Sequence, residues 1–422
     1  MSAVIELALI GCGGMARRHI AGLAVLQQTL QGLGRAPAIS LSAVADPDRG
    51  RAESVADEAQ ALLGTRPVVH RDLDEALRAD RYEAIDINTS SQWHEELGLA
   101  ALEAGRHLFM EKPLATTIAG ATALVNSAAR RARVLAVAEN VRREPVNRLA
   151  RHLLEQGVLG EPRFISDETY TGADLIQLTP WRHRLSSGGL LLDVGVHNAD
   201  TIEYLFGPLA AVAGMLRLDE PVRRRPARSH VRSAAFYETF AADLPEAAPA
   251  DAHDVLTALL DFQGTAAGQW TNHQAAHGAA VARRTLYGSL GSLSLPADRS
   301  GDEATLSLDD GRVLTGAEIL QTVPAWRLDD LEAAIWGAPA PTSSDRDFAV
   351  TDRNLLAIEF GDFTAAIADG RRPEVDAAGG RRAMAVTLAV AEAATARRWV
   401  TIDEVEDGTV HRYQDTIVAE EE

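Results

Sequence analysis

The chain has 422 residues, 46% hydrophobic and 24% charged, a globular composition that excludes disordered, collagen-like and disulfide-framework proteins. Lys plus Arg total 41 against 60 Asp plus Glu, and a net charge of −19 argues against a broad phosphate-binding surface and so against a nucleic-acid partner. Length points to two or three domains, the single Cys12 forms no intrachain disulfide, and no apolar run reaches the ~18 to 20 residues of a membrane span.

Met1 is followed almost at once by a strand-like run, which leaves no room for a secretory leader, so the expectation is a soluble, cytoplasmic protein with no membrane partner. The only lysine is Lys112, which leaves 41 − 1 = 40 arginines. That asymmetry calls for a chemical reason.

Val4 to Ile10 is a short β-type run, followed by glycines and a helical pattern from Ala16 to Leu26. A second β-type run, Ile39 to Ala45, ends at Asp46-Pro47-Asp48 before the helical stretch Arg49 to Leu63. Val68-Val69, Ala84 to Ile87, the helical Glu95 to Ala104, His107 to Met110 and Val134 to Ala138 continue the alternation, which predicts a parallel sheet covered on both faces. After Pro145 a helix (Val146 to Gln156) leads into strand-like runs at 163–170, 210–218, 255–262, 266–272, 285–287 and 292–295. Several are joined by Gly-containing turns, which predicts a second, α+β domain with antiparallel or mixed pairing. Pro221 to Ala252 reads as a long insertion, with Arg223, Arg224, Arg225, Arg228 and Arg232 on a solvated face or at an anion or subunit contact. Helical patterns return at 354–369 and 380–397, ahead of an acidic tail from Asp403. The predicted division is 1–140, 141–402 and a tail at 403–422.

Gly11-Cys12-Gly13-Gly14-Met15-Ala16 fits Gly-x-Gly-x-x-Ala between a predicted strand and a predicted helix. The first glycine turns the chain, the second lets backbone approach a pyrophosphate, and the small Ala16 lets helix pack on strand. The phosphates would sit at the positive helix end. The simpler alternative is a merely tight strand-to-helix turn. Asp46 closes the second strand, where a carboxylate accepts from both adenosine ribose hydroxyls and repels a 2′-phosphate, so NAD is favoured over NADP; as a plain turn former, Asp46-Pro47 would carry no such meaning.

Lys112 ends the apolar run His107 to Met110, at the carboxyl end of a strand where open α/β sheets place their ligands. A compact ammonium whose pKa moves offers chemistry that arginine does not. Asp193 and His197 are four residues apart, on one face if helical, which fits a structural hydrogen bond or a proton-handling pair. His94-Glu95-Glu96-Leu97-Gly98 lacks the second histidine of a zincin motif, and no compact ligand spacing occurs elsewhere, so no metal is predicted.

Together these residues resemble the Gfo/Idh/MocA oxidoreductase family: the turn Gly11 to Ala16, Asp46-Pro47, Glu111-Lys112-Pro113 as its Glu-Lys-Pro signature, and Gly188-Gly189 followed by Asp193 and His197. The resemblance implies an N-terminal Rossmann domain and a C-terminal α/β domain with a large open sheet, through which a homodimer or homotetramer forms. It also implies Lys112, Asp193 and His197 as the catalytic triad. Cofactor-side contacts are implied at His94 and Glu111, with Thr89, Ser90 and Asn140 facing the same cleft. Trp181, Arg182 and Asn198 become candidate contacts for a carbohydrate or cyclitol substrate; a packed aromatic beside a salt-bridged arginine is the alternative for the first two. The sequence departs from the pattern at Thr89-Ser90-Ser91-Gln92-Trp93-His94, which lacks the usual proline, and at Ser187, where a third glycine is usual. The implied reaction is hydride transfer between nicotinamide and a carbinol carbon, with His197 taking the hydroxyl proton, Lys112 stabilising the alkoxide, and Asp193 orienting the hydroxyl or the histidine. A redox-assisted glycosidase or lyase with recycled NAD, and a non-catalytic NAD sensor, are the competing functions.

Overall fold

The computed structural model describes residues 4–226 and 244–419. Six strands form the first sheet: β1 (Ile5–Ile10), β2 (Ile39–Ala45), β3 (Val68–His70), β4 (Ala84–Ile87), β5 (His107–Glu111) and β6 (Leu135–Ala138), in the order β3-β2-β1-β4-β5-β6. Every pairing is parallel. The central β4 is buried at all its positions, as a strand covered on both faces must be. Between the strands run α1 (Gly14–Gly32), α2 (Arg49–Leu63), α3 (Leu73–Arg78), α4 (His94–Glu103) and α5 (Ile118–Arg131). Asp48, Asp72 and Thr117 cap α2, α3 and α5 by accepting from backbone N–H groups of the first turn. The strand order reverses between β1 and β4, which opens a crevice at the carboxyl ends of those strands.

A helix α6 (Pro145–Glu155) leads to the second part of the chain. Its elements are β7 (Pro162–Gly172), α7 (Gly189–Phe206), β8 (Leu209–Arg217), the paired short strands β9 (Val222–Arg224) and β10 (Ala247–Pro249), β11 (Val255–Phe262), β12 (Ala267–Ala276), β13 (Val281–Gly288), β14 (Gly291–Leu295), β15 (Thr305–Leu308) and β16 (Val313–Thr315). There follow α8 (Asp330–Trp336), α9 (Phe348–Asp369), α10 (Ala377–Ala396), β17 (Val400–Thr401), α11 (Ile402–Glu406) and α12 (Arg412–Ala419). Nine strands make one sheet, β16-β15-β14-β13-β7-β12-β11-β8-β17, antiparallel except for β7 beside β12. Register puts Val212, Leu260, Ile165 and Leu286 in one row, and all four are buried beneath α7 and α10. The alternate rows, with Met215, Leu259 and Tyr287, face outward and are exposed.

Helix α9 returns from late in the chain to pack on α1. A Cβ on Gly22 of α1 would stand 2.6 Å from Leu356 Cβ, so glycine permits the approach. Phe360 and Phe363 stack on Phe109 of β5 at 4.5 and 5.5 Å, and each such buried ring contributes roughly 1.5 to 3 kcal/mol. The helical pattern predicted at 354–369 is thus a cover for the six-stranded parallel sheet. No helix among the described residues is long and apolar enough to cross a membrane.

Two expectations are corrected. The acidic tail from Asp403 is instead α11 and α12: Thr401 and Glu404 form a capping box, and Tyr413, Gln414 and Ile417 are buried. Arg223 is no solvated residue but fully buried, donating to Asp254 at 2.7 Å and to the carbonyls of Ala173 and Gln274. Its run alternates in and out because it is a strand, and the buried charge persists because it is paired. Arg228 and Arg232 lie outside the described residues.

Candidate active site

The β1–α1 turn opens the crevice. Gly11 adopts φ +92°, and a Cβ there would lie 2.9 Å from the Asn88 carbonyl carbon, so only glycine fits. Gly13 precedes α1 with no capping side chain, and nothing lies within 4 Å of where its Cβ would be. Ala16 is fully buried against the sheet. Asp46 accepts from Cys12 N at 2.8 Å and Asp48 N at 2.9 Å, which holds the carboxylate beside the glycine turn.

These groups wall a cleft of about 1010 Å³. Gly14, Met15, Thr89, Ser90, His94, Glu111 and Lys112 line it, as do Trp181, Arg182 and Asp193 from the second part of the chain. Three candidates are not among its walls: Asn140, His197 and Asn198. Asn198 lies on another face of α7 and donates to Asp167 at 2.9 Å. Asn140 is buried with an unpartnered Oδ1. A dinucleotide fits the residues present: the α1 N-terminus is uncapped, the glycines leave room, and Asn88 Oδ1 and Thr89 Oγ1 are buried in the region of the wall without partners.

Lys112 joins the two parts of the molecule. Its Nζ donates to the backbone oxygen of Asp193 at 2.6 Å and to Oδ1 at 2.9 Å, and the Lys112–Pro113 bond is cis. The other carboxylate oxygen, Oδ2, accepts from Arg182 Nε at 2.9 Å, and the Arg182 guanidinium lies 4.5 Å from the Trp181 ring centroid. Burial would raise the Asp193 pKa, but Arg182 and Lys112 outweigh it and hold the carboxyl well below the usual range. Asp193 is therefore an anchor for two cations, not a proton carrier.

His197 follows one turn later on α7, and its partner is not Asp193. Its Nδ1 stands 2.7 and 2.8 Å from the two oxygens of Glu139, a buried residue just after β6. His19 of α1, fully buried, bridges Asp86 at 2.9 Å and Glu111 at 3.1 Å. Burial opposes its charge, yet Asp86 and Glu111 pull the imidazole up to about 10, while Glu111 is drawn down to about 2 against its own burial, chiefly by His19. His94 lies between the carbonyls of Pro113 and Thr89, and burial pushes its imidazole below the ordinary value. The Ser187 hydroxyl donates to Gln92, and Ser91 donates to the Ser187 carbonyl, so the two departures from the family pattern meet and tie the loop after β4 to the turn before α7.

Sequence reading missed Glu139, His19, Asp86 and Asn88 as members of this constellation. Glu139 precedes Asn140 and His19 follows Ala16 by one helical turn, so position alone carried a faint signal. No group of three or more His, Cys, Asp or Glu side chains among the described residues is arranged to hold a metal ion.

A crevice at a strand-order switch, an uncapped helix behind a glycine turn and a lysine fixed at a strand end define a dinucleotide-dependent oxidoreductase. Residues 5–139 match the profile described as "Oxidoreductase family, NAD-binding Rossmann fold", and residues 147–294 match the GFO/IDH/MocA C-terminal domain. The chain belongs to the Gfo/Idh/MocA family. It is 26% identical over 408 residues to levoglucosan dehydrogenase of Pseudarthrobacter phenanthrenivorans, covering 95% of this chain and 99% of the relative. It is 28% identical over 204 residues to inositol 2-dehydrogenase 2 of Saccharopolyspora erythraea, covering 48% and 54% of the two chains. A solved structure of levoglucosan dehydrogenase in complex with NADH and levoglucosan shares the fold, with TM-score 0.75 and 24% identity over 95% of this chain and 100% of that one.

Proposed function

We propose that the protein is an NAD-dependent dehydrogenase acting on a hydroxyl-bearing carbon of a sugar, sugar derivative or cyclitol. The observation that carries this reading is the sole lysine, Lys112, pinned to Asp193 in the cleft that the glycine turn opens. The relatives named for levoglucosan, inositol and xylose dehydrogenation supply the substrate class. Bound NAD supplies the hydride acceptor. The protein does the rest: two of the three Lys112 donors are spent on Asp193, and the third is left for the substrate oxygen as it becomes an alkoxide. Asp193 fixes that donor, Trp181 offers an apolar face, and His197, one helical turn behind Asp193 on α7 rather than on the cleft wall itself, is the group assigned to take the hydroxyl proton. Asp46, beside the glycine turn, favours NAD over NADP.

In this reading residues 1–140 bind nucleotide, with α9 completing their packing, and 141–402 bind substrate. The exposed outer face of the nine-stranded sheet, with Met215, Leu259 and Tyr287, receives the same face of a second copy. The cytoplasm, with its NAD pool, is the setting. The test is NADH formation across a panel of sugars, anhydrosugars and inositols: at least one should be oxidised, and products should show a ketone or lactone with the ring bonds intact. Cleavage of a glycoside without net NADH would replace this reading by redox-assisted lysis.

A further inference from the structure

Resting on that reading, one question stays open: what makes His197 a base. Asp193 does not, since both of its carboxylate oxygens are committed to Lys112 and Arg182. The contact that His197 does make is to Glu139, brought to it from 58 residues away at the carboxyl end of β6. We infer that Glu139 is the positioning residue for the proton transfer: its carboxylate fixes His197 in the Nδ1–H tautomer and stabilises the imidazolium that forms when Nε2 takes the substrate proton.

The tautomer follows from valence. A carboxylate only accepts, so the nitrogen 2.7 Å from it carries the hydrogen. Nε2 has no hydrogen-bond partner among the described residues and is the nitrogen through which the neutral ring would take a proton. Glu139 is ionised in this setting: burial would raise its pKa, but His197 and then Lys112 lower it below the ordinary value. Its Oε1 also accepts from Val141 N at 3.3 Å, which holds the carboxylate in place.

The other carboxylates near the ring on α7 have cationic partners of their own. Asp193, one turn earlier on α7, is held by Lys112 and Arg182. Asp200, three residues later, is held by Arg142, and Arg143 is held by Asp362 and Glu374. Glu139 is the carboxylate in hydrogen-bond contact with the His197 ring and so the one placed to answer a positive imidazole. In the oxidation step the substrate O–H bond breaks and its proton bonds to Nε2. The carbinol hydrogen leaves with both electrons to the oxidised dinucleotide, the C–O bond becomes a carbonyl, and Glu139 gains no proton.

The test has two arms. Long-range proton–nitrogen NMR on the 15N-histidine protein without cofactor should show His197, assigned by loss of its signal in His197→Ala, as the Nδ1–H tautomer; an Nε2–H tautomer in the wild type overturns the inference without any variant needing to fold. Kinetically, Glu139→Gln should lower kcat ~100-fold or more while substrate KM and the NADH dissociation constant stay within about threefold, because an amide carries no charge and can turn its NH2 toward Nδ1. Glu139→Asp, which keeps the charge at a greater distance, should recover part of that loss. Wild-type kcat in Glu139→Gln beside an inactive His197→Ala overturns the role of Glu139 and leaves the dehydrogenase reading standing. Wild-type kcat in both overturns the base assignment itself.

Discussion

At the scale of single residues, chemistry concentrates on one ammonium. Lys112→Arg keeps the charge but exchanges a point donor for a planar fork that cannot make the same two contacts to Asp193. Turnover should fall ~100-fold or more, the scale of losing a preorganised oxyanion donor, with NADH binding retained. As the sole side-chain amine, Lys112 should also be the only internal site taken by an amine-selective reagent, and peptide mapping should show NADH slowing that reaction. A second expectation concerns His19. Glu111 is lower in the folded than in the unfolded chain, so the stability it contributes is present above about pH 4.5 and lost as pH falls toward 2. His19 is higher when folded, so its contribution is complete below about pH 6.5 and is lost as pH rises through 10. Removing one partner of a buried ionic cluster costs about 3 to 5 kcal/mol, which for a chain of this length melting as one unit is about 3 to 6 °C. Calorimetry of His19→Ala should show that deficit between pH 4.5 and 6.5, shrinking at pH 9 to 10. The glycine turn, Asp46, Lys112 and Asp193 were legible in the sequence because each sits in a short motif. Glu139, His19 and Asp86 were not, since their partners lie 58, 67 and 92 residues away and only the fold brings them together.

Elements tell a similar story. The β/α alternation to Ala138 was legible because buried parallel strands are short apolar runs separated by helical patterns. Periodicity announced α9 but not its place, because a helical pattern shows that a face is buried and not against what. The C-terminal helices were hidden by their acidic composition. In α12, Gln414 accepts from Ile118 N at the start of α5, and Glu392 accepts from Tyr413 N and Gln414 N. A chain ending at His411 should therefore lose these bonds and the burial of Tyr413 and Ile417, and melt several degrees lower. An unchanged melting curve would show that α12 contributes nothing to the fold.

For the whole molecule, the large sheet was visible to residue patterns only in part. Strands as short as β15 and β16 carry too few residues to announce themselves, and they gain their hydrogen bonds in sequence, β15 from β14 and β16 from β15. The outward rows expose Leu259 and Met215, and if a second copy covers them as proposed, the double variant Leu259→Glu, Met215→Glu should run as a smaller species by light scattering while still binding NADH. Unchanged mass would contradict this face as a subunit contact.

The cleft, its lysine and the dinucleotide turn converge on one reaction, and one measurement reads it directly. Purified wild type and Lys112→Arg are incubated with NAD and the sugar and cyclitol panel, and absorbance of NADH is followed alongside product analysis. The expected result is oxidation of at least one polyol by the wild type and a loss of ~100-fold or more in the variant with NADH binding intact. Equal rates in the two proteins, or NADH binding with no polyol oxidised, would contradict it.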